Sequence, residues 1–278
     1  MASVPTSPPA QTAARASLRP LSVVLITKDA AAQLRPCLES VAFADEIVVV
    51  DSGSGDGTQE LAAGFGARVI HQDWLGFGPQ KQFAVEQAAH DWVLCLDADE
   101  RVSAQLAASI RGVLAAADPF SAYRFARCNR FLGRYLRHGE GYPDWSLRLF
   151  DRRRARWSDD AVHEKVISDG PVGTIAGELM HDSAETIALY LGKQNRYTTL
   201  GAEAAVAAGQ RASAGKVWLS PLVRFVKFYF VRQGFRDGLP GFIHIAIGCF
   251  NSFSKYAKMI ELQQRTDPSG KLRQDSRP

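Results

Sequence analysis

Short apolar runs, almost uninterrupted by polar residues, recur along the first third of the chain: "LSVVLIT" (21–27), "EIVVVDS" (46–52) and "DWVLCLDADE" (91–100). Runs of this length without alternation predict strands buried on both faces of a parallel sheet. "ARVIHQD" (67–73) predicts a fourth strand between the last two. The intervening segments predict helices. Leu34, Leu38 and Val41 fall on one helical face, with Pro36 setting the regular start near Arg35. "TQELAAGFGA" (58–67) predicts a short helix ending at Gly64 or Gly66. "PQKQFAVEQAA" (79–89) and "AQLAASIRGVLAAA" (104–117) predict two more, the second capped by Ser103. Strands alternating with helices predict a doubly wound α/β sheet over residues 21–117.

Beyond residue 121 the pattern changes. "AYRFARCNRF", "SLRLFDR" and "ARWS" are strand-like pieces joined by Gly, Pro and Arg up to about Asp182, and a long helical zone runs from 186 to 264. The opening residues 1–20, rich in Pro, Ser and Ala and lacking an apolar run, predict a disordered leader and not a signal peptide. Residues 265–278 predict a flexible tail.

At 278 residues the chain can bury a sizeable core. Its four cysteines are scattered, without metal or disulfide spacing, which points to a reducing compartment. No stretch reaches about eighteen apolar residues, so no spanning helix is expected. The net charge of +4 conceals an asymmetry: from Arg211 onward 12 Lys/Arg face 4 Asp/Glu, while residues 1–210 carry a net −4. A basic, aromatic C-terminal third suggests contact with something anionic.

Two strand ends carry the candidate chemistry. "EIVVVDSGSGDGTQE" runs a buried strand into Asp51 and a glycine-spaced turn. It lacks the third glycine of a dinucleotide fingerprint, the Gly-Lys-Ser/Thr of an ATPase loop and the alternate acids of a calcium loop, which leaves a tight turn or a ligand-facing acid. In "LCLDADE", Asp97 and Asp99 stand two apart and so project from one side of an extended segment. With Glu100 they make a hard-oxygen cluster suited to Mg²⁺ or Mn²⁺, or an acidic N-terminal zone for the next helix.

Together "SVVLITKD", "EIVVVDSGSGDGT" and the D-x-D of "LDADE" resemble the family 2 glycosyltransferases, inverting enzymes of the GT-A fold. "DWLGFGPQKQFA", "RLFDRRRARW" and "VHEKV" add a resemblance to the branch that builds lipopolysaccharide core, including glucosyltransferases acting on inner-core heptose. The resemblance implies a GT-A type, mostly parallel doubly wound sheet with a C-terminal helical appendage. Residues 21–117 would then bind the nucleotide sugar, and 118–185 the acceptor and catalytic groups. Thr27 and Asp51 would hold the nucleoside, with Asp51 facing uracil. Asp97 would contact ribose or the metal's water, Asp99 would ligate Mg²⁺ or Mn²⁺, and Lys81 would approach the diphosphate. Glu164 in "AVHEKV" would be the base, with His163 beside it and Asp160, Asp159 and Asp144 as competitors. Relatives commonly continue the first strand with Asn-Glu-Glu where this chain has Asp29, Ala30 and Ala31, so a donor contact made there is lost or moved.

Ten arginines lie between Tyr123 and Arg156, Arg148 among them. They serve solubility or pair with phosphates and acidic sugars of a lipopolysaccharide acceptor. Nucleic acid is not expected, because no interleaved stacking module accompanies them. In the helical zone, Trp218, Phe225, Phe228 and Tyr229 among Arg224, Lys227, Arg232 and Arg236 suit either an anionic membrane surface or packing on the catalytic domain or a second copy of the chain. The expected activity is therefore metal-dependent transfer of glucose from a UDP-sugar to lipopolysaccharide core, at the inner face of the cytoplasmic membrane. The alternatives are transfer to a polyprenyl phosphate and a noncatalytic membrane-binding module.

Overall fold

A computed structural model of the protein describes residues 19–116, 119–159, 164–182 and 186–265. The first half forms β1 (Leu21–Thr27), α1 (Ala31–Ser40), β2 (Glu46–Asp51), α2 (Thr58–Gly64), β3 (Arg68–His71), α3 (Phe77–Glu86), β4 (Trp92–Asp97), β5 (Glu100–Val102) and α4 (Ala104–Ala115). There follow β6 (Ala122–Phe131), β7 (Arg134–Tyr135), β8 (Asp144–Asp151), β9 (Ala155–Trp157), β10 (Val166–Ser168) and β11 (Val172–His181). The helical region comprises α5 (Ile187–Ala207), α6 (Ala214–Phe225), a π-helical turn (Val226–Val231), a 3-10 turn (Gly234–Asp237) and α7 (Gly238–Arg265).

One sheet runs in the order β3-β2-β1-β4-β8-β6-β11-β5, with β7 beside β6 and β9–β10 as a separate ribbon. The first four strands are parallel. Next, β8 pairs antiparallel with both β4 and β6, β11 runs parallel to β6, and β5 closes the row antiparallel to β11. β5 follows β4 after only Ala98 and Asp99, yet pairs at the far end of the row, so the sheet curls. Strands β1–β5 of the first half and β6, β8 and β11 of the second therefore share a single sheet.

The apolar strands are buried on both faces, as their composition requires. β1 sends Leu21, Val23 and Leu25 into a core with Leu34 and Leu38 of α1 and Leu106 and Ile110 of α4. Its Val24 enters a second core with Ala84 and Val85 of α3 and with Trp157. Parallel register puts Thr27 opposite Asp51 and Ile26 opposite Asp97. The carboxyl ends of three central strands thus open on one edge, where an α/β sheet offers its crevice.

Three local expectations change. α1 starts at Ala31, ahead of Pro36, because its first turn is held from outside: Thr58 Oγ1 accepts from the Ala30 amide (2.8 Å) and Asp56 Oδ2 from the Ala31 amide (3.0 Å). The strand expected over 91–100 ends at Asp97, and Ala98–Asp99 form a turn into β5. The same-side relation of Asp97 and Asp99 therefore fails, since it needs extended backbone. β11 lacked a sequence signal because its bulge at residues 174–178 breaks the two-residue period.

Gly177 sits in that bulge at φ +102°, and a Cβ there would meet the Leu106 backbone nitrogen at 2.3 Å. The approach docks α4, whose cap Ser103 accepts from Leu106 N and from Glu178 N (3.2 and 3.1 Å). The helical region is tied on by Asp237, buried and accepting from the amides of Arg137 and His138 (2.9 and 2.7 Å). Among the described residues no helix is long and apolar enough to cross a membrane. Gly177→Ala is expected to destabilise the fold by about 2–3 kcal/mol from strain and displacement of α4, lowering the thermal midpoint by roughly 4–12 °C. Differential scanning calorimetry checks it, and an unchanged midpoint contradicts the close approach.

Candidate functional site

The turn after β2 is folded around its own acid. Asp51 is fully buried and accepts from the amides of Gly53 and Ser54 (3.0 and 2.8 Å), from Ser54 Oγ (2.5 Å), Thr27 Oγ1 (2.7 Å) and Gln59 Nε2 (2.7 Å). Burial alone would raise the carboxyl, but these donors outweigh it and hold it below the usual carboxylate range. Gly53 takes φ +83°, which permits the tight return of the chain. Asp29 Oδ1 accepts from the Gly55 amide (2.9 Å), bracing this turn against the loop after β1. The glycine-spaced acids thus hold two loops together.

At the mouth of β4 two of the three acids share a cation and the third turns away. Asp97 Oδ1 lies 3.3 Å from Lys81 Nζ, and Oδ2 lies 2.8 Å from Arg148 Nη2. Burial would raise the Asp97 carboxyl, but Arg148 and Lys81 overcome that and hold it far below the ordinary range. Glu100 is fully buried, accepts from the Asp97 amide (3.0 Å) and faces Arg127 and Arg148, each at 3.4 Å. Burial together with the Asp97 charge keeps its carboxyl above the usual value, although Arg148 pulls the other way. Asp99 turns instead toward His181 at the end of β11, Oδ2 to Nε2 being 3.2 Å. Burial works against the imidazolium, but the bond and charge of Asp99 raise the His181 pKa. Asn129 Oδ1 meets the other imidazole nitrogen at 2.8 Å and fixes the ring.

Two cavities meet here. The smaller, about 590 Å³, is lined by Thr27, Lys28, Ser52, Trp74, Asp99 and His181, among others. The larger, about 840 Å³, is walled by Lys81, Arg148, Trp157 and Glu164 on one side and by residues of α5 on the other. Asp97 and Phe77 line both.

The structure gathers most of the expected residues, with altered surroundings. Thr27, Asp97 and Asp99 line the smaller cavity, and Asp51 lies directly behind Thr27. Lys81 is buried and lines the larger cavity, where Nζ lies 3.0 Å from Glu164 Oε1 and 4.9 Å over the Trp157 ring. Arg148 is likewise buried over Trp157. Asp144 is held by Arg127 (2.7 Å) and Asp159 stands exposed beside Arg156, and neither is in the lining of these two cavities. Asp160 and His163 lie outside the described residues. Sequence reasoning missed Trp74 and Phe77, half-exposed and edge-to-face at 4.9 Å, although large apolar residues in a glycine-rich loop were a usable signal. It also missed His181, 82 residues beyond Asp99 in the chain, for which no local signal exists.

The sequence pattern of glycosyl transferase family 2 matches residues 22–167. The lipopolysaccharide core biosynthesis glycosyltransferase LpsC of Rhizobium meliloti is 34% identical over 249 residues, covering 87% of this chain and 92% of LpsC. The chain belongs to glycosyl transferase family 2. An uncharacterized glycosyltransferase of Rickettsia typhi is 29% identical, covering 90% of this chain and 89% of that protein. Among solved structures, the mannosyltransferase PcManGT from Pyrobaculum calidifontis, in complex with GDP-Man and Mn²⁺, matches with a TM-score of 0.50 and 17% identity over 95% of this chain and 92% of that one. That likeness shows the fold, the GT-A arrangement expected of a family 2 transferase.

Among the described residues of this family 2 enzyme, no three His, Cys, Asp or Glu side chains converge as a self-sufficient metal site. Both Asp97 oxygens are engaged by cations, so the donors remaining at the mouth are the Asp99 carboxylate and the adjacent His181 imidazole. Two ligands of this type fit a Mn²⁺ or Mg²⁺ whose shell is completed by phosphate oxygens and water. Arg148→Met would remove the cation that Asp97 and the buried Glu100 share and is expected to lower stability by about 3–5 kcal/mol. Adding Glu100→Gln should recover part of the loss. Urea unfolding of the single and double variants checks this, and equal stability for wild type and Arg148→Met contradicts it.

Proposed function

We propose that this family 2 transferase moves glucose from UDP-glucose to an inner-core heptose of lipopolysaccharide, with inversion at the anomeric carbon. The observation that carries the reading is the junction itself: a small cavity at the strand ends and a larger one beside it share Asp97 and Phe77. The relationship to LpsC supports the lipopolysaccharide acceptor.

Thr27, Lys28 and Ser52 line the donor cavity for the nucleoside, on the turn that Asp51 fixes, with Trp74 and Phe77 as apolar walls. Mg²⁺ or Mn²⁺ held by Asp99, with His181 as second ligand, would neutralise charge on the departing diphosphate. Asp97 fixes Lys81 at the seam between the cavities, and Lys81 in turn orients Glu164. The acceptor hydroxyl gives its proton to Glu164 as its oxygen bonds to the anomeric carbon. The bond from that carbon to the diphosphate breaks on the opposite face, and UDP leaves. His163 as helper and Asp160 as a competing base rest on the sequence alone.

Attachment to the inner face of the cytoplasmic membrane completes the proposal. Leu219, Val223, Val226 and Phe230 recur at helical spacing, all exposed, with Trp218 76% and Val231 72% exposed nearby. An apolar strip of this kind flanked by Lys227, Arg232 and Arg236 suits an anionic lipid surface.

With Mn²⁺ and UDP-glucose the purified protein is expected to release UDP slowly, and Asp99→Ala should abolish that release. Release unaffected by Asp99→Ala removes the metal role. Glu164→Gln should keep UDP affinity while turnover on lipopolysaccharide core falls roughly 10²- to 10⁴-fold; full activity sinks its role as base. In flotation assays the wild type should rise with phosphatidylglycerol vesicles and the Leu219→Glu/Phe230→Glu variant should not, whereas equal flotation contradicts the membrane contact.

A further inference from the structure

The larger cavity holds more positive charge than the transfer step uses. We infer that it is built for an acceptor sugar bearing an anionic group, phosphate or carboxylate, near the hydroxyl that is glycosylated. The inference rests on reading this cavity as the acceptor site.

Six cations line it, Lys81, Arg127, Arg148, Lys165, Lys193 and Arg196, against two carboxylates, Asp97 and Glu164. The excess is local, because residues 1–210, which contain all six, carry a net charge of −4. The inner three are matched by acids: Lys81 by Asp97 and Glu164, Arg148 by Asp97 and Glu100, Arg127 by Glu100 and Asp144. The outer wall differs. Lys165 precedes β10 and Arg196 lies on α5, both are exposed, and neither forms an ion pair among the described residues.

Solubility alone is served by cations spread over a convex surface. Here groups from distant parts of the chain converge on one concavity, where their field adds and attracts an anion. The remaining lining suits a sugar ring. Trp145 and Tyr197 are each 48% exposed at this cavity, giving flat apolar faces beside the cations. Arg124 stacks on the Trp145 ring at 5.2 Å and steadies it. A volume of about 840 Å³ admits a ligand larger than one sugar ring.

The test is calorimetric titration of the full chain with UDP and Mn²⁺ saturating, using mannose 6-phosphate, glucuronate and mannose as probes. UDP binding by the wild type, measured first, tests the donor reading by itself. At least one of the charged sugars is expected to bind more tightly than mannose, and which one does so identifies the anion as phosphate or carboxylate. Lys165→Gln combined with Arg196→Gln should weaken that probe by roughly 10- to 100-fold, with mannose unaffected. Both positions are exposed, so the variant should unfold at the wild-type urea midpoint. If UDP binds but the charged sugars bind no better than mannose, or the double variant holds them equally well, the anionic subsite is wrong while the donor site stands.

Discussion

Asp97, gripped between Lys81 and Arg148, fixes the geometry of everything at the open end of the sheet. The carboxylate closes an apolar strand, its cations come from α3 and β8, and Trp157 supplies an aromatic face to both of them. Charges taken out of water are tolerated only when mutually satisfied, so three elements are obliged to meet at one point. Glu100 extends the same arrangement to Arg127, where β6 and β8 continue the sheet.

That arrangement gives the acids at the strand ends different work. Asp51 is saturated by internal donors and acts on the shape of a turn. Asp97 organises the seam between the cavities and orients Glu164 through Lys81. Asp99, freed from the strand by the turn at Ala98, pairs among the described residues with His181 and lines the smaller cavity. The D-x-D spacing matters here because a turn separates the two carboxylates, one held by cations and one left open.

The C-terminal helices add to the site as well as to the surface. α5 packs Ala202 and Ala205 against Met259 of α7 and presents Lys193, Arg196 and Tyr197 to the larger cavity. The larger cavity is thus closed by a region whose outer face carries the exposed apolar strip, which puts the proposed acceptor site and the proposed membrane contact in one structural unit.

The sequence by itself determined β1, β2 and β4, their burial on both faces and the acids that end β2 and β4. Those features follow from local period and composition: "LSVVLIT" and "EIVVVD" can satisfy their side chains only inside a parallel sheet. It also carried the family, through motifs contiguous in the chain. The tertiary structure alone decided which acid is paired and which is open, because the cations beside Asp97 and the imidazole beside Asp99 come from other elements brought in by the curl of the sheet. Electrostatic partnership depends on distance through space, and a linear pattern does not contain it.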